Sequence, residues 1–81
     1  MNLYLISQSV NNDYDTYDSA VVCAPTESAA RTIHPEGHVV VAIAPPNWDA
    51  WCGLLDVEVE LIGKAHEGSE QGVVCASFNA G

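Results

Sequence analysis

Three groups of side chains in this sequence have types that could do chemistry: an Asp/Tyr run at residues 13–18, three histidines and three cysteines. In Asp13-Tyr14-Asp15-Thr16-Tyr17-Asp18, oxygen ligands stand at alternate positions, as in a calcium loop. Such a loop also needs a central glycine, a bidentate Glu at its twelfth position and flanking helices. Asp18 stands where the glycine should fall, and strand-forming sequence flanks the run. An acidic, tyrosine-bearing turn is therefore expected there, with no metal. His34 and His38 are four apart, but Pro35 and Gly37 break the helical face that a ligand pair at that spacing would require. With His66 they read as one helix-end and two loop histidines. Cys23, Cys52 and Cys75 are odd in number and widely spaced, which fits neither a closed disulfide framework nor a paired metal knuckle. Buried thiols are the default, because free Cys packs as a small hydrophobe. An exposed one would allow a disulfide-linked dimer beside the monomer. The sequence has no Gly-x-Ser-x-Gly elbow, no Cys or Ser in a recognisable catalytic setting and no phosphate-cradling glycine loop. Neither catalysis nor a cofactor is expected.

The elements that must position these groups belong to a small acidic domain. Five Asp and six Glu face only Arg31 and Lys64, giving a formal charge of −9 in 81 residues. Net charge bears on partners and solubility rather than on fold. It excludes direct nucleic-acid binding, which demands a basic surface, and points to a partner with a basic one. A hydrophobic fraction of 48% is far from the disordered regime, so one folded domain over 1–81 is expected. The longest apolar run, Val39 to Ala44, is well short of the roughly 18–20 residues of a membrane helix. The N-terminus lacks a basic region and an apolar signal core, so a cytoplasmic location without a membrane is expected.

Residues 2–8 alternate as a first strand, with Leu3 and Leu5 on one face and Tyr4 and Ile6 on the other. Ser9 to Ser19 is Asn- and Asp-rich, as suits a loop. Ala20 to Ala24 then returns antiparallel, because ten residues without helical periodicity suit a long hairpin. Thr26 caps and Glu27 charges the start of a helix that His34-Pro35 closes; Ala29, Ala30 and Ile33 form its apolar stripe, leaving Arg31 to solvent. Val39 to Ala44 is apolar without alternation, as in a strand covered on both sides. Pro45-Pro46 ends it, and Asn47 caps a single turn through Trp48, Asp49, Trp51 and Cys52. Asp56 to Ile62 has the clearest pattern: Val57, Val59 and Leu61 inward, Asp56, Glu58 and Glu60 outward. After a polar connection, Gly72 to Phe78 supplies the last strand. The sum is an α+β domain, an antiparallel sheet of four to five strands with one short helix on one face.

Two sets of side chains are candidates for recognition. Trp48 and Trp51 are expected to cap the core, with exposed aromatic anchors, Tyr14 and Tyr17 among them, as the alternative. Glu58 and Glu60 share a strand face about 6.7 Å apart, twice the rise per residue, a spacing comparable to successive phosphates. Asp56 precedes them; Asp13, Asp15 and Asp18 extend the row if the first loop lies beside that face, as do Glu67 and Glu70 from the last connection. On charge alone, solvated residues that keep a small protein in solution explain the same pattern.

Several stretches resemble a widespread family of small bacteriophage and prophage proteins. They are Leu3-Tyr4-Leu5-Ile6-Ser7-Gln8, Asn12-Asp13-Tyr14-Asp15-Thr16-Tyr17-Asp18-Ser19-Ala20-Val21-Val22, Ala29-Ala30-Arg31 to His34-Pro35, Trp51-Cys52, and Gly72-Val73 to Ala76-Ser77-Phe78-Asn79-Ala80-Gly81. The likeness spans most of the chain, although Val39 to Pro46 departs from it. At least one similar protein is an anti-CRISPR that keeps a type I surveillance complex (Cascade) from binding DNA. The resemblance implies a stoichiometric inhibitor in the cytoplasm of an infected bacterium, with a Cascade subunit as partner and an acidic, DNA-mimicking face. The alternative is a phage accessory protein bound to another basic host defence or nucleic-acid-handling protein. The family supplies no catalytic motif.

Overall fold

The structure, a computed structural model, describes residues 1–12, 14–40, 43 and 50–79. Four strands, β1 (Asn2–Ser7), β2 (Thr16–Ala24), β3 (Glu58–Lys64) and β4 (Gly72–Asn79), form one antiparallel sheet in the order β3-β1-β2-β4. One helix, α1 (Glu27–Arg31), packs against β1, β2 and β3. This is the small α+β fold that the alternating strands and single capped helix predict.

Register explains which residues meet. Tyr4 lies opposite Val22 and Ile6 opposite Ala20, while Val59 lies opposite Ile6 from the other side. These residues, with Ala24, Ala30, Ile33, Val40, Trp51, Cys52 and Val57, make the core between the sheet and the segments that roof it. Leu3, Leu5 and Ser7 point to the opposite, open face. Three bulges interrupt the ladders. One falls between Leu3 and Tyr4 on β1, leaving Ile62 extra on β3; one leaves Asp18 extra on β2; one leaves Val74 extra on β4. Bulges re-aim side chains.

The helix begins as expected: the Thr26 hydroxyl accepts the Ala29 N–H at 3.1 Å, and Glu27 sits in the first turn. It ends at Arg31, with Thr32 as its cap, before His34-Pro35 is reached. Two further expectations are corrected here. Arg31 does not face solvent: it is half-buried, and its guanidinium donates to the carbonyls of Leu54 and Val57. Those carbonyls belong to the single 3-10 turn Leu54–Asp56 and the residue after it, so Arg31 ties the helix to the start of β3. Leu61 is 62% exposed although it lies opposite buried Tyr4. A five-residue helix is about 7.5 Å long, whereas the seven residues of β3 run about 23 Å, so the roof stops short. Asp56, expected to open the strand, instead ends the 3-10 turn before it.

The strand expected over Val39 to Ala44 is not formed by its described residues. Val39 makes an isolated bridge with Ile33 and is exposed, Val40 is buried and donates to the Thr32 carbonyl at 2.6 Å, and Ile43 lies exposed in a bend. Val41, Ala42 and Ala44, like the expected turn from Asn47 through Trp48 and Asp49, lie outside the described residues.

Gln8 orders the β1–β2 connection. Its buried amide donates to the carbonyls of Asn11 and Tyr17, both at 2.8 Å, and its carbonyl oxygen accepts the N–H groups of Val10 and Asn11. The Asn11 amide continues to the Trp51 carbonyl at 3.0 Å. Removing that side chain leaves four polar partners without their bonds. Gln8→Ala is expected to lower the unfolding free energy by about 2–3 kcal/mol, against about 1 kcal/mol for Thr26→Ala, read from urea midpoints at an unchanged m-value.

Candidate partner-binding surface

β3 is an edge strand, paired on one side only among the described residues. Its Glu58 lies opposite Ser7 and its Glu60 opposite Leu5, so both carboxylates stand exposed on the open face of the sheet. Together with Leu5, Ser7 and Val59 they line a shallow depression. Asp56, exposed in the preceding turn, adds a third carboxylate at the same end. Arg31 lies near this end but bonds backbone carbonyls. Lys64 is at the far end of the strand, about 20 Å from Glu58 at the rise of a strand.

Of the remaining sequence candidates, Asp15, Glu67 and Glu70 lie away from that row. Asp18 is exposed on its bulge, near the Ser7 end of the sheet, where the Gln8 N–H donates to its carbonyl. Asp15 is exposed with φ 60, a left-handed conformation that Asp tolerates. Its N–H donates to the Asn79 carbonyl at 2.6 Å, which puts it beside β4. β3 and β4 are three strand spacings apart, about 14 Å. Glu67 and Glu70 are exposed in the connection from β3 to β4, which crosses the opposite end of the sheet from Glu58. Asp13 lies outside the described residues. Among the described candidates the most compact group is thus Asp56, Glu58 and Glu60. At physiological salt, where the Debye length is about 8 Å, the carboxylates beside β4 and in the β3–β4 connection are largely screened from that group.

The aromatic candidates divide. Tyr14 is 74% exposed in the first loop. Tyr17 is half-buried, with its ring edge-on to Phe78 at 4.8 Å and to His34 at 6.3 Å. Trp51 is 1% exposed and belongs to the core, so it is removed as a partner anchor. Trp48 lies outside the described residues.

The structure brings His34 and His38 together by a route that helical spacing could not show. Pro35, Glu36 and Gly37 form a tight turn in which the Gly37 N–H donates to the His34 carbonyl at 2.7 Å, with Gly37 at φ 103. The His34 N–H then donates to the His38 carbonyl, and the two rings stack at 4.1 Å. One ligand-type atom from each of His34, Glu36 and His38 lies within 4.8 Å of the others. The arrangement serves the turn first: His34 is 1% exposed, and its Nδ1 accepts the Glu36 N–H at 3.0 Å. A metal on Nδ1 would have to displace that bond.

Among the cysteines, Cys23 and Cys52 are buried as expected, whereas Cys75 is exposed on β4. The sequence offered no clue to this, since Gly72 to Asn79 contains no charged residue to mark an outward face. No family model matches the chain, and no curated protein or solved structure matches it at a significant level. In the native protein, one thiol of the three is expected to react with a thiol-specific reagent, and that thiol is lost in Cys75→Ser. Mass mapping of the labelled peptide checks it.

Proposed function

We propose that this protein is a non-catalytic inhibitor that binds the basic DNA-binding channel of a type I CRISPR surveillance complex and keeps target DNA out. Two lines support the reading: the likeness to small phage proteins, and the exposed pair Glu58 and Glu60 on the open face of an edge strand. The pair carries it. Two carboxylates about 6.7 Å apart on a rigid strand offer Lys and Arg side chains a spacing comparable to that of a nucleic-acid backbone. Arg31, the nearby cation, bonds carbonyl oxygens, and one cation against Asp56, Glu58 and Glu60 leaves this edge net negative. Asp56 extends the group, and the shallow depression between Leu5 and Glu60 gives a partner side chain a place to enter.

Electrostatic complementarity of this kind acts on encounter rate and selectivity, and it weakens with salt. The working location is the cytoplasm of the infected bacterium, where the complex is found. In no step does the inhibitor change chemically.

The test is DNA binding by a purified type I surveillance complex, measured with and without the protein. The wild type is expected to block binding stoichiometrically, and less well as NaCl rises from 0.05 to 0.3 M. The double reversal Glu58→Lys and Glu60→Lys is expected to weaken inhibition at least ten-fold, with the unfolding free energy changed by no more than about 0.5 kcal/mol for exposed sites. Full inhibition by that variant sinks the acidic-edge mechanism. Failure of the wild type on the complex, with capture of another basic host protein from lysate, favours the accessory-protein alternative.

A further inference from the structure

The opposite edge of the sheet has a different chemistry. β4 carries no charged residue in a chain of net charge −9. Its residues from Val74 to Asn79 are all exposed, and among the described residues no strand pairs with its outer edge. Val74 is 60% and Phe78 48% exposed, and the Cys75 thiol is exposed between them. Soluble proteins guard sheet edges with charge, proline or cover. β3 is guarded by Glu58, Glu60 and Lys64; β4 has no charge or proline, and its one guard among the described residues is the bulge at Val74, which leaves Cys75 to Asn79 open.

We infer that β4 is a self-association edge, pairing antiparallel with β4 of a second copy to join two four-stranded sheets. Charge selects the occupant. A basic partner, which the acidic side chains attract, gains nothing from a neutral strand, whereas a second β4 sets no like charges opposite each other. The carboxylates of β3 do not forbid the approach, since they lie about 14 Å away within their own sheet and the Debye length is about 8 Å.

The bulge fixes the register. Val74 is the extra residue of β4 against β2; beyond it Cys75 to Asn79 has no extra residue of its own, the next bulge lying on β2 at Asp18, and Ser77 is at its middle. A two-fold axis at Ser77 places Ser77 opposite its own copy, Ala76 opposite Phe78 of the copy, and Cys75 opposite Asn79 of the copy. Small faces large at the Ala76–Phe78 pair. Both of those residues lie on the Tyr17 side of the sheet, where Phe78 already packs edge-on against Tyr17. The two Cys75 thiols then stand four residues apart along the pairing, about 14 Å, beyond disulfide reach. Native cysteine therefore does not hold the dimer. Each copy carries a net charge of −9, and the Debye length grows well beyond about 8 Å as salt is lowered, so the copies repel at low salt and salt strengthens this contact. That sign is opposite to the one expected for a basic partner.

Sedimentation of the full chain in reductant is expected to show a concentration-dependent dimer whose fraction rises from 0.05 to 0.5 M NaCl. Ser77→Lys opposes two cations across the axis while making the net charge less negative, and is expected to weaken the dimer at least ten-fold. Amide hydrogen exchange needs no variant: the Cys75 to Asn79 amides should exchange more slowly at high than at low protein concentration. Register is read with the double variant Cys75→Ser and Ser77→Cys. Oxidised glutathione takes up two electrons and two protons from the paired thiols, leaving two glutathione thiols and one inter-chain disulfide; wild-type Cys75 forms none. A wild type that is monomeric throughout, a dimer indifferent to Ser77→Lys, unchanged β4 exchange, or ready Cys75 cross-linking would each overturn the proposal.

Discussion

The structure depends on how little chain is available to cover its sheet. A helix of five residues, Glu27–Arg31, and the irregular segments around Ile33, Val40 and Trp51 to Val57 roof one face of four strands. In so small a domain the buried fraction is low from the start, so the roof is held by polar ties as well as by packing. Arg31 reaches the carbonyls of Leu54 and Val57, and Gln8 gathers four backbone partners in the first loop. His34 donates and accepts within its own turn. Each tie satisfies groups whose burial without a partner would be costly.

This use of polar groups shapes the electrostatics. Of two cations in the chain, one is committed to backbone oxygens, and Lys64 lies at the far end of β3 from Glu58. The described acidic side chains are all exposed, where water solvates them. Their distribution is uneven: Asp56, Glu58 and Glu60 gather at one edge, while Asp15 and the connection bearing Glu67 and Glu70 lie elsewhere. A partner that reads charge therefore meets the β3 edge as its densest target.

The two edges of the sheet pose the same physical problem, unpaired backbone N–H and C=O groups, and differ in how it is met. Charge guards β3 and, in the proposed function, is also the binding face. β4 has no charge, and among the described residues only its start is covered, Val73 packing against the core while Val74 to Asn79 are exposed. Opposite responses to salt keep the two surfaces separable: screening weakens an acid–base contact and relieves repulsion between like copies.

Local pattern was enough for much of this fold. The alternation of Leu3 to Ile6, the Thr26 cap and the outward Glu58 and Glu60 were legible because period and capping act within a few residues. So was the antiparallel return of β2, although it begins at Thr16, where Asn and Asp composition reads as loop. Other features depend on contacts between distant residues, and these only the tertiary structure decided. Arg31 reads as a solvent-facing helix residue until the Leu54 and Val57 carbonyls arrive beside it. Leu61 reads as core until the helix proves too short to cover it, and Val39-Val40 reads as strand until a single bridge to Ile33 is all it forms. The sequence by itself determined the amount of negative charge and the strand that displays it most regularly. Which carboxylates act together, and which edge is left neutral and open, follow from the strand order β3-β1-β2-β4, because distance between charges is set by packing across the sheet and not by separation along the chain.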